Sequence, residues 1–185
     1  MRKLIIDMDD VMCKNGFIRI VNEFLGTNYK AEDANSYYIN DLIPKEKMKE
    51  WIKYFETINV YDYVDLIEDV KNVMKKLNEK YELYIVTAFI FRDEPKISGR
   101  VLEDKFNYLY EEFPFIAPEQ YVFSCNKDII DADVRIDDSL GKLEGKAKIK
   151  LLFTAYHNGD ISKEELDSKG VIRVNSWKEI ENILL

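Results

Sequence analysis

The sequence predicts an α/β fold in which an open, largely parallel sheet carries helices on both faces. Short apolar runs alternate with segments of helical periodicity along most of the 185 residues. Most of these runs lack the alternation of a half-exposed strand, which is typical of parallel strands covered on both sides. One long stretch without a strand pattern interrupts the alternation after the first run, and it predicts a small helical insertion.

Six short apolar runs predict the strands of the sheet. Helical patterns lie between most of them, and this alternation favours right-handed crossovers that place the strands parallel. The order of the strands does not follow from these patterns. In chain order the predicted strands are Leu4–Ile6, Leu83–Val86, Tyr121–Phe123, Val134–Ile136, Ile149–Phe153 and Val171–Val174.

Apolar residues spaced three and four apart predict three helices between and after the strands. The last of them begins at Ser176, where Glu179, three residues further on, completes a capping box. The faces that these helices are expected to bury consist of Val70, Val73, Met74 and Leu77 in the first, Leu102, Phe106, Leu109 and Phe113 in the second, and Trp177, Ile180 and Leu184 in the third.

Residues 14–65 contain two amphipathic helix patterns and no convincing strand. A connection of about fifty residues is too long for a simple link between two strands. Pro44 is expected at the first helical position of the second pattern. We therefore predict an α/β core of residues 1–13 and 66–185 and a helical cap of residues 14–65. The predicted cap helices carry Phe17, Ile20, Val21 and Phe24, then Met48, Trp51, Ile52 and Phe55.

Two acidic pairs that follow predicted strands are the most informative feature. Asp7 and Asp9 come directly after the first strand, and Asp137 and Asp138 follow the fourth. Ligands of open α/β sheets bind beyond the carboxyl ends of the strands, so the four carboxylates are expected to meet in one crevice. Their repulsion would raise their pKa values unless a hard cation offset it, and oxygen ligands favour Mg²⁺. Either pair alone would more simply form a turn, but both together predict a metal site.

Two further polar residues occur at corresponding positions. Thr87 follows the second predicted strand, and Lys127 comes shortly after the third. A hydroxyl and an ammonium group at the same sheet edge could hold phosphate oxygens, with Lys127 offsetting the negative charge of substrate and carboxylates. Taken alone, Thr87 would more simply be a residue that ends a strand, and Lys127 would more simply be a solvated charge in a loop. Their order between the two acidic pairs, each after a successive strand, predicts a phosphate site.

These motifs resemble those of the haloacid dehalogenase-like phosphatases. Residues 7–11 (Asp-Met-Asp-Asp-Val), Val86–Thr87, Lys127 and 136–138 (Ile-Asp-Asp) are similar to the four motifs of that superfamily. The resemblance implies a Rossmann-like, haloacid dehalogenase-like core, and the helical insertion looks like the superfamily's cap. The compact length, the opening motif, the Ile-Asp-Asp ending and the Phe-Pro-Phe-Ile stretch at 113–116 resemble the 5'(3')-deoxyribonucleotidases within it.

The resemblance implies a role for each motif residue. Asp7 would be the nucleophile that attacks phosphorus and forms an aspartyl-phosphate. Asp9 would protonate the leaving alcohol and then act as the base for water. Thr87 would bind the transferring phosphoryl group, and Lys127 would hold both that group and the carboxylate of Asp7. This chemistry agrees with covalent catalysis through a carboxylate, which splits one difficult displacement into two.

The resemblance also implies the cofactor and the substrate. Mg²⁺ would be bound by Asp7, the Asp9 backbone carbonyl and Asp138, with Asp137 beside them as a ligand or an orienting group. The implied reaction is the Mg²⁺-dependent hydrolysis of a nucleoside monophosphate, a small phosphorylated substrate, with a pyrimidine deoxyribonucleotide as the first expectation. The base, the sugar and the position of the phosphate do not follow from the motifs.

The sequence departs from the family pattern at two positions. Asp10 stands where many members have Gly, so the turn after the acidic pair could differ in geometry or carry extra charge. Ala88 follows the motif threonine where the mammalian deoxyribonucleotidases have Ser, which removes one phosphate or sugar contact. Both departures bear on substrate range more than on the type of reaction.

The predicted cap is rich in aromatic rings, some of which could close over the site and stack on a nucleobase. The rings at helical spacing are expected to pack within the cap itself. Tyr37 and Tyr38, after the loop-like segment 33–36, are the better candidates for substrate contact.

Composition narrows the classes of partner. The net charge of −8 opposes a long surface for a nucleic-acid polymer, because phosphate backbones are held mainly by clustered Lys and Arg. No apolar run approaches the ~20 residues of a membrane-spanning helix. Cys13 and Cys125 lie far apart and indicate no disulfide framework, so a cytoplasmic location is expected. His157, the only histidine, is expected to be a polar loop residue. A homodimer is possible but is not predicted by any pattern.

Two other functions fit part of the pattern. A related phosphatase could act on a sugar phosphate or another small metabolite. A signalling receiver module also gathers acidic residues, Thr and Lys around Mg²⁺ and accepts phosphate without turnover, but the insertion and the second acidic pair oppose it. A dehalogenase is disfavoured because cleavage of a carbon–halogen bond does not need Asp9.

Overall fold

The computed structural model describes residues 1–34, 36–92 and 94–185, and these residues form an α/β fold. Asn35, within the predicted loop at 33–36, lies outside the described residues. The six predicted strands all occur, and two very short strands accompany them. The strands are β1 (Arg2–Ile6), β2 (Cys13–Lys14), β3 (Asp65–Leu66), β4 (Tyr81–Thr87), β5 (Tyr121–Phe123), β6 (Val134–Asp137), β7 (Ile149–Phe153) and β8 (Ile172–Val174).

The main sheet of the described residues has six strands in the order β5-β4-β1-β6-β7-β8, and each neighbouring pair is parallel. The predicted parallel α/β sheet is therefore confirmed. From β1 the chain builds outward through β4 to β5, then crosses back so that β6 lies on the other side of β1. The direction of winding thus reverses between β1 and β6. Ligand crevices of open α/β sheets form at such a reversal, beyond the carboxyl ends of the strands.

The central strands are buried on both faces, which explains their unbroken apolar sequences. Leu4 and Ile6 of β1 and Leu83 and Ile85 of β4 have no exposed surface. Burying one such side chain contributes about 1.5–3 kcal/mol relative to leaving it in water. The strands β1 and β4, which position Asp7 and Thr87, are therefore held firmly in the hydrophobic core.

Six α-helices occur in the described residues, and none of them is both long enough and apolar enough to cross a membrane. They are α1 (Gly16–Leu25), α2 (Met48–Phe55), α3 (Val70–Lys80), α4 (Pro95–Glu112), α5 (Lys163–Ser168) and α6 (Trp177–Leu184). The N-cap half of the predicted capping box of α6 is present, because Ser176 Oγ accepts from the Glu179 amide. The Glu179 carboxylate accepts from the amide of Asn175, one residue before the N-cap, and not from the amide of Ser176. The faces predicted for α3 and α6 are those that the structure buries.

The buried face of α4 differs from the prediction. Phe106 was expected in the core but is 38% exposed, whereas Lys105 beside it has no exposed surface. The buried row consists of Ile97, Val101, Lys105 and Leu109, which are spaced four residues apart. Because this row contains a lysine, it looks less apolar in the sequence than the neighbouring row, which contains Phe106. The periodicity therefore predicted the neighbouring row as the buried face.

The short strands β2 and β3, at the two ends of the segment 14–65, pair antiparallel. Gly16, at the start of α1, lies very close to Val60 and Val64, and the lack of a side chain makes this contact possible. A Cβ added there would lie 2.6 Å from Val64 Cγ1 and 2.8 Å from the Val60 carbonyl oxygen. Any larger residue at position 16 would have to push these segments apart.

The second helix of this segment begins later than predicted. Pro44 does not occupy the first position of α2 but precedes a 3-10 turn, Lys45–Lys47, from which α2 continues. Trp51 of α2 is 1% exposed and belongs to the same connected hydrophobic cluster as β1. The division of the chain into core and cap stays a prediction.

Candidate functional site

The predicted site residues of the first, second and fourth strands lie at one edge of the sheet. Asp7 follows β1, Thr87 is the last residue of β4, and Asp137 is the last residue of β6. These strands are parallel neighbours, so their carboxyl ends meet. The Asp7 amide donates to the Ile136 carbonyl at 2.9 Å, which holds the beginning of the acidic loop against β6.

Lys127, in a 3-10 turn after β5, joins the two acidic pairs. Its Nζ lies 2.9 Å from Asp7 Oδ1 and 2.6 Å from Asp137 Oδ2. Burial by itself would lower the pKa of the Lys127 ammonium, but the two carboxylates outweigh burial and raise this pKa. Burial would likewise raise the pKa of Asp7, yet the charge of Lys127, followed by that of Lys105, lowers it. Asp7 and Lys127 are therefore both charged at neutral pH.

Asp7, Asp137 and Asp138 form a cluster in which one carboxylate oxygen of each lies within 4.8 Å of the others. Asp137 Oδ2 accepts from Lys127, and Oδ1 accepts from the Ser139 amide at 2.9 Å. Asp138 Oδ1, by contrast, is buried and has no hydrogen-bond partner among the described residues. Burial, and then the charges of Asp7 and Asp137, raises the pKa of Asp138 well above its usual value.

This donor set fits a small, hard divalent cation. Carboxylate oxygens are the ligands that Mg²⁺ prefers, and a buried oxygen without a partner is a costly feature that a bound cation would remove. Burial, and then the charge of Asp7, also raises the pKa of Asp137 to about 6. A cation beside these groups would favour their charged forms.

His157 lies in the turn after β7, as expected of a polar loop residue, and its ring also contacts the acidic cluster. Its Nε2 lies 2.6 Å from Asp138 Oδ2, and Asn158 Nδ2 donates to the Asp138 carbonyl oxygen at 2.8 Å. Burial lowers the pKa of His157, so its ring is neutral at pH 7 and can donate from Nε2 to Asp138 when a bound cation keeps Asp138 ionised. The position of His157 shortly after β7, at the same sheet edge, is the sequence signal that could have identified it.

Asp10 adopts the backbone conformation that glycine would adopt at this position. Its φ is 56°, in the left-handed region that Asp tolerates better than most residues, and its amide donates to the Cys13 carbonyl at 2.8 Å. The departure from glycine therefore adds a carboxylate while the left-handed turn is kept. Burial, and then the charges of Asp9 and Asp7, raises the pKa of Asp10 to about 7. One ligand atom from each of Asp10, Asp138 and His157 lies within 4.8 Å of the others.

Asp9 is held by two residues that the sequence analysis did not select. The Tyr61 hydroxyl donates to Asp9 Oδ1 at 3.0 Å, and the Lys105 ammonium donates to Asp9 Oδ2. Lys105 Nζ also donates to Thr87 Oγ1 at 2.6 Å. Tyr61 was one of many rings in the insertion and had no distinguishing signal. Lys105 had none either, because its row of α4 is recognised as buried only in the structure.

The two candidate substrate-binding tyrosines occupy different positions. The Tyr37 ring contacts the His157 ring edge to face, with centroids 4.7 Å apart, and the Tyr37 carbonyl accepts from the Tyr156 hydroxyl at 2.5 Å. Tyr37 therefore borders the acidic cluster. Tyr38 is 66% exposed and packs edge to face against Tyr37. The structure thus brings Tyr37 to the site and leaves Tyr38 on its outer side.

A group of phenylalanine rings lies close to Thr87 along the chain. Phe89, two residues after Thr87, stacks on Phe17 with centroids 6.0 Å apart and lies 5.9 Å from Phe55. Phe17 and Phe55 belong to α1 and α2 and were expected to pack within the insertion. They also pack against the chain that follows β4, so they join the insertion to the site.

Of the predicted catalytic, phosphate-binding and metal-binding residues, Asp7, Lys127, Asp137 and Asp138 are linked through Lys127 and the acidic cluster. Asp9 and Thr87 are linked through Lys105. The roles assigned to these residues by resemblance stay predictions.

Comparisons with known proteins agree with this arrangement. A family described as "5' nucleotidase, deoxy (Pyrimidine), cytosolic type C protein" matches residues 2–185. A protein of Bacillus subtilis named 5'(3')-deoxyribonucleotidase is 33% identical over 197 aligned positions, which cover 100% of both chains. A Staphylococcus epidermidis protein that bears the same name on a provisional basis is 31% identical over 183 positions, covering 98% of this chain and 94% of its own.

Among solved structures, a haloacid dehalogenase-like protein from Agrobacterium tumefaciens is similar with a TM-score of 0.58. The alignment covers 99% of this chain and 97% of the other, at 13% sequence identity. At this identity the likeness concerns the fold alone.

Proposed function

The chain belongs to the 5' nucleotidase, deoxy (pyrimidine), cytosolic type C family, and we propose that it is a phosphomonoesterase that hydrolyses deoxyribonucleoside monophosphates. The observation that carries this proposal is the contact of Lys127 with both Asp7 and Asp137, which brings the two acidic pairs to one place. The receiver-module alternative is rejected, since the family match to a nucleotidase extends over residues 2–185.

In the proposed reaction Asp7 is the nucleophile. Its pKa is lowered, so it is ionised at neutral pH, and Lys127 holds its Oδ1. One oxygen of Asp7 forms a bond to phosphorus while the bond from phosphorus to the ester oxygen breaks. Lys127, at 6% exposure, supplies a fixed positive charge beside the phosphoryl group as the transfer proceeds.

Asp9 is the proposed acid and base. It gives a proton to the leaving alcohol in the first step and takes one from water in the second. That water then attacks the phosphoryl group on Asp7, which releases inorganic phosphate and restores the carboxylate. Thr87, whose Oγ1 accepts from Lys105, can donate its hydroxyl proton to a phosphoryl oxygen.

The proposed Mg²⁺ ligands are Asp7, the backbone carbonyl of Asp9 and Asp138. When bound, the cation draws negative charge from the phosphoryl oxygens and the nucleophile. Asp138 Oδ1 is the better candidate for direct ligation, because it has no other described partner. Asp137 is the better candidate for an orienting role, because Lys127 and Ser139 already occupy both of its oxygens.

The proposed substrate is a pyrimidine deoxyribonucleotide, after the description of the family. Tyr37 is the proposed aromatic contact for the nucleoside, because it borders the acidic cluster and is half exposed. The proposed setting is the cytosol. The proposal includes no nucleic-acid polymer and no membrane.

A phosphate-release screen tests this function. Purified protein with Mg²⁺ is offered ribo- and deoxyribonucleoside 5'- and 3'-monophosphates, with sugar phosphates alongside. We expect continuous release of phosphate from deoxyribonucleotides, with kcat/KM at least 10-fold above that for any sugar phosphate. Preference for a sugar phosphate would overturn the substrate assignment.

The Asp7→Asn variant tests the chemistry within the same screen. We expect it to keep the wild-type circular dichroism spectrum and to lose turnover by at least 1,000-fold, because an amide is a poor nucleophile. Asp9→Asn should lose most of the turnover while it still binds Mg²⁺, since its backbone carbonyl is unchanged. An active Asp7→Asn enzyme would show that Asp7 is not the nucleophile.

A further inference from the structure

Lys105 is a fully buried lysine whose ammonium lies between two of the proposed site residues. It comes from α4, a helix that contributes no other residue to the proposed chemistry, and it has no exposed surface. Its Nζ donates to Asp9 Oδ2 and, at 2.6 Å, to Thr87 Oγ1. A buried ammonium is costly unless its hydrogen bonds and its charge are both matched, so its position is tightly specified.

We propose that Lys105 is the second ammonium group of the phosphoryl site, besides Lys127, and the positioning residue for Asp9 and Thr87. This inference rests on the proposed function and adds a residue that the four motifs do not contain. Lys127 contacts Asp7, the proposed nucleophile. Lys105 contacts Asp9, the proposed acid for the leaving group.

Lys105 orients the hydroxyl group of Thr87, as the direction of their hydrogen bond indicates. An ammonium group can only donate, so Thr87 Oγ1 is the acceptor in their contact. The hydroxyl proton of Thr87 must then point away from Lys105. It is thereby available to a phosphoryl oxygen, which is the use proposed for Thr87.

Asp9 is fixed on both of its oxygens by donors from different parts of the chain. Lys105 holds Oδ2 from α4, and Tyr61 holds Oδ1 from the 3-10 turn Val60–Tyr63. Lys105 Nζ also lies 5.9 Å from the centroid of the Tyr61 ring, so the two donors support each other. With both oxygens held, the Asp9 carboxylate has one orientation at the site.

The charge of the site also favours a second ammonium group beside Lys127. Among the described residues, the carboxylates of Asp7, Asp9, Asp10, Asp137 and Asp138 gather at this edge, and the ammonium groups in contact with them are Lys105 and Lys127. A phosphate monoester adds further negative charge. Without Lys105, the leaving-group side would present Asp9 to the incoming phosphate with no ammonium beside it, and binding of the anion would weaken.

Substitution of Lys105 tests the proposal, with Lys96 as the matched control. Lys105→Met removes the charge and keeps the length of the side chain, and Lys96→Met makes the same change at an exposed position of α4. In Lys105→Met we expect kcat/KM for the preferred deoxyribonucleotide to fall roughly 100-fold, mostly in kcat. We expect the affinity for inorganic phosphate with Mg²⁺, measured by calorimetry, to fall about 10-fold. Lys96→Met should match the wild type in both.

Two measurements separate positioning from a merely structural role. In Lys105→Ala, added ethylammonium should raise kcat at least 10-fold, because it returns a positive charge to the cavity that the substitution leaves. Ethanol, which is similar in size but neutral, should not raise kcat. In an Asp9→Asn background, Lys105→Met should lower kcat by a smaller factor than in the wild type, because the charged contact with Asp9 is already lost and the contact with Thr87 remains. If Lys105→Met does not fold, Lys105→Gln, which keeps two N–H donors without the charge, replaces it.

The outcomes for Lys105 and for the proposed function are distinct. A folded Lys105 variant that equals the Lys96 variant in kcat/KM and in phosphate affinity would overturn the role of Lys105 and leave the nucleotidase function intact. If the wild type releases no phosphate from nucleotides, the proposed function fails. Lys105 is then judged by phosphate affinity alone, and an unchanged affinity in the variant rejects it.

Discussion

The two carboxylates of the second acidic pair are adjacent in sequence, yet their surroundings differ. Asp137 is held by Lys127 and the Ser139 amide, whereas Asp138 keeps one buried oxygen without a described partner. The difference arises because both of these donors, Lys127 and the Ser139 amide, bind Asp137. The sequence alone left open which of them binds the metal, and the distribution of donors favours Asp138.

At the same scale, His157 is predicted to orient Asp138 for the metal. His157→Phe removes the Nε2–H donor, so we expect the affinity for Mg²⁺, measured by calorimetry, to fall roughly 10-fold or more. His157→Gln can still donate from its amide and should stay within a few-fold of the wild type. Wild-type affinity in the folded Phe variant would contradict this orienting role.

The site residues differ in how far the sequence could predict them. Asp7, Thr87 and Asp137 follow strands that apolar runs identify, so their meeting at one sheet edge could be predicted. The contacts Lys105–Asp9 and His157–Asp138 join residues 96 and 19 positions apart in the chain. They depend on the rotation of α4 and on the course of the chain after β7, which no local pattern specifies.

At the scale of elements, α4 shows how a functional residue can mislead a periodicity argument. The buried row of α4 contains Lys105 between Val101 and Leu109, so the apolar periodicity is interrupted at the position that faces the site. Lys105 is buried because Asp9 and Thr87 satisfy it, so its burial is a property of the tertiary structure. The wrongly predicted face therefore lies where α4 approaches the site, as expected when local rules yield to function.

A pH dependence is expected where α6 packs against α3. Glu181 of α6 accepts from Lys178 at 2.6 Å and from Lys76 of α3 at 2.5 Å. These hydrogen bonds, first from Lys178 and then from Lys76, lower the pKa of Glu181 from 4.5 to about 2. A carboxyl whose pKa is lowered by folding stabilises the native state above its ordinary pKa. That stabilisation is lost as the pH falls towards 2.

Thermal melts of the wild type and of Glu181→Gln between pH 6 and pH 2 test this dependence. We expect the wild type to melt at a higher temperature above pH 5, and the difference to shrink steadily as the pH falls. Glu111→Gln, at an exposed position of α4, is the control and should follow the wild type at every pH. A difference that stays constant down to pH 2 would show that Glu181 stabilises by packing and not by charge.

At the scale of the whole molecule, the reversal of winding between β1 and β6 places the acidic cluster where the sheet opens. The fold class was predictable from six apolar runs, because buried parallel strands leave a strong local signal. The strand order was not predictable, since it is set by packing between distant segments. Because the site is built from loops after β1, β4, β5, β6 and β7, binding at the site is coupled to the stability of the sheet that holds those loops.

This coupling predicts that Mg²⁺ stabilises the native protein against heat. The carboxylates of Asp7, Asp137 and Asp138 meet only in the folded chain, so the cation binds the native state and not the unfolded one. At a concentration 100-fold above Kd, such binding contributes about 2.7 kcal/mol. For a chain of this size, that corresponds to a rise in Tm of roughly 5–10 °C.

The variant Asp138→Asn tests this prediction, because its stability relative to the wild type should change sign when Mg²⁺ is added. Without Mg²⁺ the variant should be at least as stable as the wild type, because burial and neighbouring charges raise the pKa of Asp138 and make its charged form unfavourable at pH 7. With Mg²⁺ the wild type should gain stability and the variant should gain little, so that their order reverses. NaCl at equal ionic strength controls for screening between the carboxylates. An equal gain in both proteins, or a gain that NaCl reproduces, would show that Asp138 does not bind the cation.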